Sequence, residues 1–551
     1  MDWLQRLSVI PTTVDEAIPH VLMICAGALI LYVIDCLRTY IGVLQQVRGL
    51  PTRHGLFPAW EVGLRPRLPH IPFLFPVRTF YSKPEFDIYQ KAGSDLLAFT
   101  VATVPRPVYF IGSPTSAQHV ATNPQFGKAS FEKRYENIRQ FGSNIVSAYD
   151  GGEHRHHKVA IRSCFGEQIF EKVWDNMDKQ LAIMIDAEKV EESGGVLHDI
   201  GHVLIKLTFA IIGEVGFSVE IPWNIHKTDS AGEMPFPEAM EAMDQSLLLQ
   251  FIMPSWILKV VPSLRRYGKA RHDYLAHTYR MYRQRRSELV AESDPSTKPP
   301  TDLLGALAHA QIFAERSEDK REFGVGLTEE EVISDMFVFL IAGHETTGHT
   351  LAFILANLAL YPDWQGKLLE EINEVCGDEE PAYRHMNQLQ LCLAVGLESL
   401  RLFDSARLIF KYAMEDTILP YSTWTKDGTV TQRVHHVKKG ALIGLDLPAC
   451  QKNLFHWKDA DKFDPTRHLP ANKSSPYLGF SLGARQCIGR RFAEVEIVSF
   501  VAKIVKRYRI FPKMEQPHES LDELKRRMLD TAYEDLTLTP GKFDLRLERR
   551  E

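Results

Sequence analysis

Residues 327–362 read LTEEEVISDMFVFLIAGHETTGHTLAFILANLALYP. Thr328 and Glu331 form the Thr-x-x-Glu box that opens a helix, and Pro362 stops it after Tyr361. Between them run roughly 34 residues, about 50 Å of α-helix. A helix so long must cross the whole core of a globule. At its middle sits IAGHETTGHT, residues 341–350, close in spelling to a zinc helix. A zinc helix needs its histidines one turn apart. His344 and His349 are five residues apart, about 140° around the helix, and the position one turn on is Gly348, which cannot ligate. Gly343 and Gly348 each cost about 1 kcal/mol relative to alanine in a helix interior. They make sense if something approaches the backbone closely.

The N-terminus is of another kind. From Val21 to Ile34 (VLMICAGALILYVI) nothing is charged or strongly polar, and the flanks bring the segment near the ~17–25 residues that span a bilayer. No small-x-small cleavage site follows, which disfavours a signal peptide. Arg38, Arg48, Arg53, Arg65 and Arg67 follow the segment and only Arg6 precedes it, so the bulk of the chain is expected on the cytosolic side. Pro51, Pro58, Pro66, Pro69, Pro72 and Pro76 then mark a stiff connector. The expected organisation is an anchor over 1–40, a hinge over 41–76 and one catalytic domain over 77–551, with a surface loop at 293–301.

The remaining pattern is mainly α with a small β portion. Strands are expected at Val108–Ile111 and Ala441–Leu445, and a hairpin over 536–547 about Pro540-Gly541. A net charge of −6 over 551 residues gives no footing for nucleic acid. Seven scattered cysteines without a Cys-x-x-Cys pair argue against a disulfide scaffold or a zinc ribbon.

One cysteine stands out. In FSLGARQCIGRRFAEVEI (480–497) Cys487 lies in a glycine-rich loop just before a helical pattern. A helix N-terminus offers unpaired N–H groups and the positive dipole end, both of which favour a thiolate. Gly483 and Gly489 leave room for a flat ligand, and Arg485 can pair with an anionic group on it.

The pattern Phe480-x-x-Gly483-x-Arg485-x-Cys487-x-Gly489 resembles the heme-binding loop of the cytochrome P450 family. The resemblance makes Cys487 the axial ligand of heme iron, where thiolate favours O–O cleavage. Ala342-Gly343-His344-Glu345-Thr346-Thr347 resembles the family's oxygen-activation motif, which implies that Glu345 and Thr346 relay protons. Glu398-x-x-Arg401 resembles the family's Glu-x-x-Arg pair, and the segment Phe463–Arg467 resembles the one that adds Arg467 to it. Together these three would lock the cysteine loop. The likeness covers roughly residues 50–547, and the pattern from Phe131 to Ile145 looks like the fungal branch.

The chain also departs from the family. His154 and Lys158 stand where a tryptophan and an arginine usually touch the heme propionates, and Lys411 stands where an arginine often does. Lysine keeps the charge but loses the bidentate fork. Asp404 replaces a common proline. The neighbouring His156 and His157 are expected on a solvated or propionate-facing surface. Apolar positions around 135–141, 247–252, 339–342 and 406–409 are expected to face substrate.

The resemblance implies heme b (iron-protoporphyrin IX), O2, a lipophilic small-molecule substrate and a single-pass place in the endoplasmic reticulum membrane. With no nucleotide loop or flavin domain visible, electrons must come from a partner, NADPH-cytochrome P450 reductase. A heme-thiolate isomerase or dehydratase, or a heme sensor, is the alternative. The Glu345–Thr346 pair favours oxygen activation over the isomerase or dehydratase.

Overall fold

The computed structural model describes residues 14–55, 86–101, 104, 106–128, 139, 141–224, 232–253, 255–291, 300–316, 326–472, 475–516, 518–530, 532–534 and 537–551. Most of the proline connector, the loop at 293–299 and the segment 131–138 lie outside them. The chain divides into two compact units, residues 1–111 with 415–444, and 112–414 with 445–551.

The first unit contains helices α1 (Val14–Gln46) and α2 (Asp87–Ala92) and strands β1 (Thr52–Gly55), β2 (Leu96–Val101) and β3 (Val108–Ile111). β1 runs parallel to β2, and β2 antiparallel to β3. A long hairpin joins β7 (Thr417–Trp424) to β8 (Val430–Val437). Helix α1 runs on past residue 40. Its outer part is bare apolar surface, with Leu22, Ile24 and Leu31 at 63%, 70% and 69% exposure. Its last turns settle on the unit through buried Val43 and Val47 and through Tyr40 Oη, 3.0 Å from His54 Nδ1. Among the described residues Leu22–Gln46 is long and apolar enough to cross a membrane.

The second unit is mainly helical. Its first helices are α3 (Pro114–Thr122), α4 (Gly152–Ile161), α5 (Glu167–Ala187), α6 (Ile200–Ile211), α7 (Phe236–Ile252), α8 (Ser255–Val260) and α9 (Arg265–Ala291). Then come α10 (Leu303–Arg316), α11 (Glu329–Leu360), α12 (Asp363–Cys376), α13 (Gln390–Leu402), α14 (Leu447–Gln451), α15 (Arg490–Arg507) and α16 (Leu521–Met528). Short strands fill the gaps. β4 (Phe126–Gly127) pairs with β6 (Leu408–Ala413), and β9 (Leu442–Asp446) starts in the first unit and ends in the second.

The expected hairpin at 536–547 does not form. β12 (Leu538–Thr539) pairs instead with β11 (Tyr533–Glu534), while β13 (Leu545–Arg549) pairs with β10 (Tyr508–Pro512) and β5 (Val196–Leu197). The alternation there is real, but Leu545 and Leu547 bury their faces on a different strand, where Leu547 lies opposite Ile510. Sequence alternation gives a face and leaves the partner open.

Helix α11 is the axis of this unit. Thr328 Oγ1 accepts from Glu331 N–H and Glu331 returns the bond to Thr328 N–H, so the capping box is present. From Val332 to Leu360 every residue is buried except Ala342, Gly343 and Thr346. The glycines are explained by α6. A Cβ on Gly348 would lie 3.0 Å from the Ile205 backbone, and one on Gly343 would lie 3.2 Å from Ile212. The close approach expected at these glycines is made by α6 and the residue that follows it.

Candidate functional site

The loop 480–489 closes on itself through Cys487 N–H to Phe480 O at 2.9 Å. Ser481 and Gly483 take left-handed φ of 55° and 73°. A Cβ on Gly483 would stand 2.3 Å from Ala121 O at the end of α3. Packing on α3, not room for a ligand, is what demands this glycine. Gly489 is the N-cap of α15. Cys487 is open to solvent at its surface, yet the protein crowding its sulfur pushes the thiol pKa up, against the Gly489 N–H and the charge of Arg490. The helix terminus acts in the expected direction, and desolvation works against it. A metal cation at Sγ reverses that balance, because a coordinating thiol is deprotonated outright.

Three cations surround one carboxylate beside this loop. Arg485 donates from Nε to Asp150 Oδ1 at 2.6 Å and from Nη2 to Ala148 O at 2.6 Å. Asp150 Oδ2 accepts from Lys128 N–H at 2.6 Å. The Lys128 ammonium is buried and reaches Val146 O. Burial first, then the charges of Arg485 and Lys411, press its pKa well down. Lys411, also buried, is lowered for the same first reason, with Asp150 opposing. His154 is half-buried on α4, and burial and Arg485 bring its pKa to about 4, so it is neutral at pH 7. The structure thus brings Arg485, Lys411 and His154 together and adds Lys128 and Asp150, which the sequence reading missed. No local pattern marks Lys128; only its place opposite Asp150 does.

The rest of α4 corrects the expectation for His157. Lys158 is exposed, and its charge helps to lower the pKa of His154. His157 is not on a solvated surface: it is fully buried, with Nδ1 2.6 Å from Asp335 Oδ2 on α11. His156 lies 3.6 Å from Glu331. Phe141, expected near substrate, packs on Phe337 with ring centroids 4.9 Å apart.

The Glu398 pair is a buried fork. Arg401 donates from Nε to Oε2 at 2.8 Å and from Nη2 to Oε1 at 2.9 Å. Its other donors hold Gln451 O and Ala460 O, each at 2.7 Å. Arg467 Nε approaches Oε1 at 3.3 Å, and Asp464 N–H and His468 Nε2 complete the carboxylate at 2.9 Å each. His468 is a partner the sequence reading did not name. Burial would raise the Glu398 pKa, but the bonds from Arg401 and His468 overrule it and hold the carboxyl below its usual range.

At the middle of α11, Thr346 Oγ1 donates to Ala342 O at 2.7 Å. Glu345 is buried on the neighbouring face, where Oε1 accepts from Thr537 Oγ1 at 2.7 Å. His344 and His349 diverge: Nε2 of the first meets Asp244 at 3.0 Å, and Nδ1 of the second meets Thr537 at 2.9 Å. Among the described residues no cluster of three potential ligands could hold a metal ion. Glu496 of α15 is fully buried with Thr347 as its polar neighbour, and burial pushes its pKa well up.

Comparison with known proteins agrees with this geometry. The family model described as Cytochrome P450 matches residues 97–534. Cytochrome P450 monooxygenase 124 of Postia placenta is 32% identical over 455 residues, 80% of this chain and 83% of that one. Cytochrome P450 4d2 of Drosophila melanogaster is 24% identical over 440 residues, 76% of this chain and 81% of its own. A solved cytochrome P450 (CYP102L1), 21% identical, superposes with a TM-score of 0.65 over 85% of this chain and 97% of that one, which shows the fold. With the cysteine loop, the Glu398 fork and the long central helix all in place, the chain belongs to the cytochrome P450 family and is a heme-thiolate monooxygenase.

Proposed function

We propose that this protein inserts one oxygen atom from O2 into a lipophilic small molecule, with heme b bound through Cys487. Its electrons come from NADPH-cytochrome P450 reductase at the cytosolic face of the endoplasmic reticulum, where α1 anchors it. The observation that carries this is the cation cradle beside the cysteine loop. When charged, Lys128, Lys411 and Arg485 outnumber the single Asp150 in a buried place, and burial presses both lysine pKa values down. Such an excess is costly unless a doubly anionic guest meets it, and the two propionates of heme are such a guest. Ala342, Gly343 and Thr346, the open positions of an otherwise buried helix, mark the wall of a cavity.

When bound, heme supplies the activation of dioxygen and the oxygen transfer. The chain's residues do the remaining work. Cys487 Sγ would hold the iron, and Lys128, Lys411, Arg485 and neutral His154 would hold the propionates. The Glu398–Arg401 fork, with Arg467 and His468, ties α13 to the segment 460–468. Thr346 would hold a proton donor at the cavity wall, and Glu345 would recharge it. The place of action is fungal secondary metabolism, on terpenoids or polyketides, or the oxidation of xenobiotics; the similarity to monooxygenases of Postia placenta and Penicillium supports it.

The test is the full-length protein with reductase in lipid. Wild type should show the red-shifted carbon monoxide band of thiolate-ligated heme and consume NADPH in a substrate-dependent way. Cys487→Ala should lose that band. A normal band in the variant, or turnover of substrate by wild type without NADPH, would sink the assignment.

A further inference from the structure

His349 is left over from the site described above. It lies one turn beyond Glu345 on α11, and the two are joined through a third side chain. Thr537 Oγ1 donates to Glu345 Oε1 at 2.7 Å and lies 2.9 Å from His349 Nδ1. All three residues are buried. A threonine hydroxyl has one hydrogen. Since it goes to the carboxylate, His349 must be the donor in the second bond, with its proton on Nδ1 and Nε2 bare. Thr537 is held in place by the residues that follow it. Leu538 N–H binds Ser405 O at 3.2 Å, and Pro540 packs against Gly201 at the start of α6.

His349 and Glu345 both face a cavity of about 850 Å³ lined by α6, α7, α11 and residues 539–542. Its wall is largely apolar, with Asp199, His202, Lys206, Asp244 and Lys542 as the charged or titratable groups near its polar side. Burial, and then the nearby His344, hold the His349 pKa down to about 4, so the ring is neutral at pH 7 and Nε2 can accept. His344 itself is the opposite case. Burial works against its charge, but the bond to Asp244 wins and raises its pKa.

We infer that His349 and Thr537 are the proton supply line of Glu345. Cavity water gives a proton to His349 Nε2, the Nδ1 proton passes to Thr537 Oγ, and the hydroxyl proton of Thr537 moves to Glu345 Oε1. One proton enters and one arrives, and no electron moves. With the imidazole turned so that Nδ1 meets cavity water, Nε2 returns its proton to water and Nδ1 takes one, which restores the starting tautomer. Thr537 and His349 are positioning residues that act through Glu345, so the inference rests on the role proposed for Glu345.

The test compares Thr537→Val, Thr537→Ser, His349→Gln and Glu345→Gln in the full-length heme-loaded protein. The first readout is the resting protein alone. The Glu345 carboxylate infrared band, found as wild type minus Glu345→Gln, should shift in Thr537→Val and return in Thr537→Ser. The second is the share of NADPH electrons that reaches product rather than peroxide. Thr537→Val and His349→Gln should keep heme and substrate binding and lose about tenfold in product per NADPH, less than the 10²–10⁴-fold of a direct acid–base group. Thr537→Ser should restore it. An unmoved infrared band overturns the relay whatever Glu345 does. So does wild-type coupling in Thr537→Val or His349→Gln when Glu345→Gln is uncoupled. Normal coupling in Glu345→Gln overturns the role of Glu345 itself, and the relay with it.

Discussion

Replacing Glu398 with glutamine changes one oxygen to an NH2 and should be among the most damaging single-atom exchanges in this chain. Both side chains of the fork are fully buried. The carboxylate accepts from Arg401 Nε and Nη2, Asp464 N–H and His468 Nε2, all at 2.8–2.9 Å. Glutamine faces these donors with one oxygen and one further donor, so at least one N–H of Arg401 meets an NH2. It also leaves the guanidinium charge buried without a counter-charge, with Gln451 O, Ala460 O and Lys462 O beside the one glutamine oxygen as acceptors. Breaking a buried pair this way costs about 3–5 kcal/mol. The assay is urea denaturation of the full-length protein followed by circular dichroism, with wild type and Glu398→Gln side by side at pH 7. The pH dependence gives a second check. Because the folded pKa of Glu398 lies below the usual glutamate value, its stabilisation is complete above that usual value. It fades as pH falls through the folded pKa, so the gap between the two proteins should narrow only in acid. A loss under about 1 kcal/mol at pH 7, the range of a surface ion pair, would refute the claim that the fork is a buried strut.

Other outcomes follow from the same structure. Thr346→Ala should keep heme and substrate binding but lose on the order of 10²-fold in product per NADPH, with peroxide rising; unchanged yield would reduce Thr346 to a helix residue. Deleting residues 1–40 removes the exposed apolar length of α1 and should move the protein from the membrane toward the soluble fraction; recovery of the intact chain without detergent would refute the anchor. Glu496→Gln should match wild type in acid and become the more stable protein as pH rises. Burial raises the folded pKa of Glu496, so the folded state holds a proton that the unfolded state gives up, and wild type weakens with pH by an amount that reaches the ~1–3 kcal/mol scale of an unmatched buried polar group. Parallel pH curves for the two proteins would contradict this.

What was legible in the sequence was what depends on neighbours along the chain. The capping box of α11, the stop at Pro362, the three-residue spacing of Glu398 and Arg401 and the loop ending in Cys487 are all local patterns, and the structure keeps each. What escaped depends on residues far apart. Arg485 and Asp150 are 335 positions apart, and Thr537 and Glu345 are 192 apart; nothing near either member announces the other. The failed hairpin at 540–541 is the same lesson for strands, since β13 chose β10 and β5 over its neighbour. The histidines of α4 were misjudged because one periodic face can meet solvent or another helix, and His157 meets α11. Gly343 and Gly348 were correctly read as sites of close approach, but the sequence could not say that α6 does the approaching.

The wide spacing of the cradle has a consequence for how the protein is made. Lys128 leaves the ribosome some 360 residues before Cys487, about 20–70 s earlier at ordinary synthesis rates. Lys411 follows late, and Arg485 and Cys487 come almost together near the end. Through that interval α1 is already free to enter a bilayer, while the cationic pocket has neither its arginine nor its sulfur. On the role proposed for Cys487 and the cradle, cofactor capture follows the synthesis of Arg485 and Cys487, long after α1 is made. Thr537, made later still, seals Glu345. Chains cut short before it would reach the membrane with a cysteine loop and a cradle but without that seal.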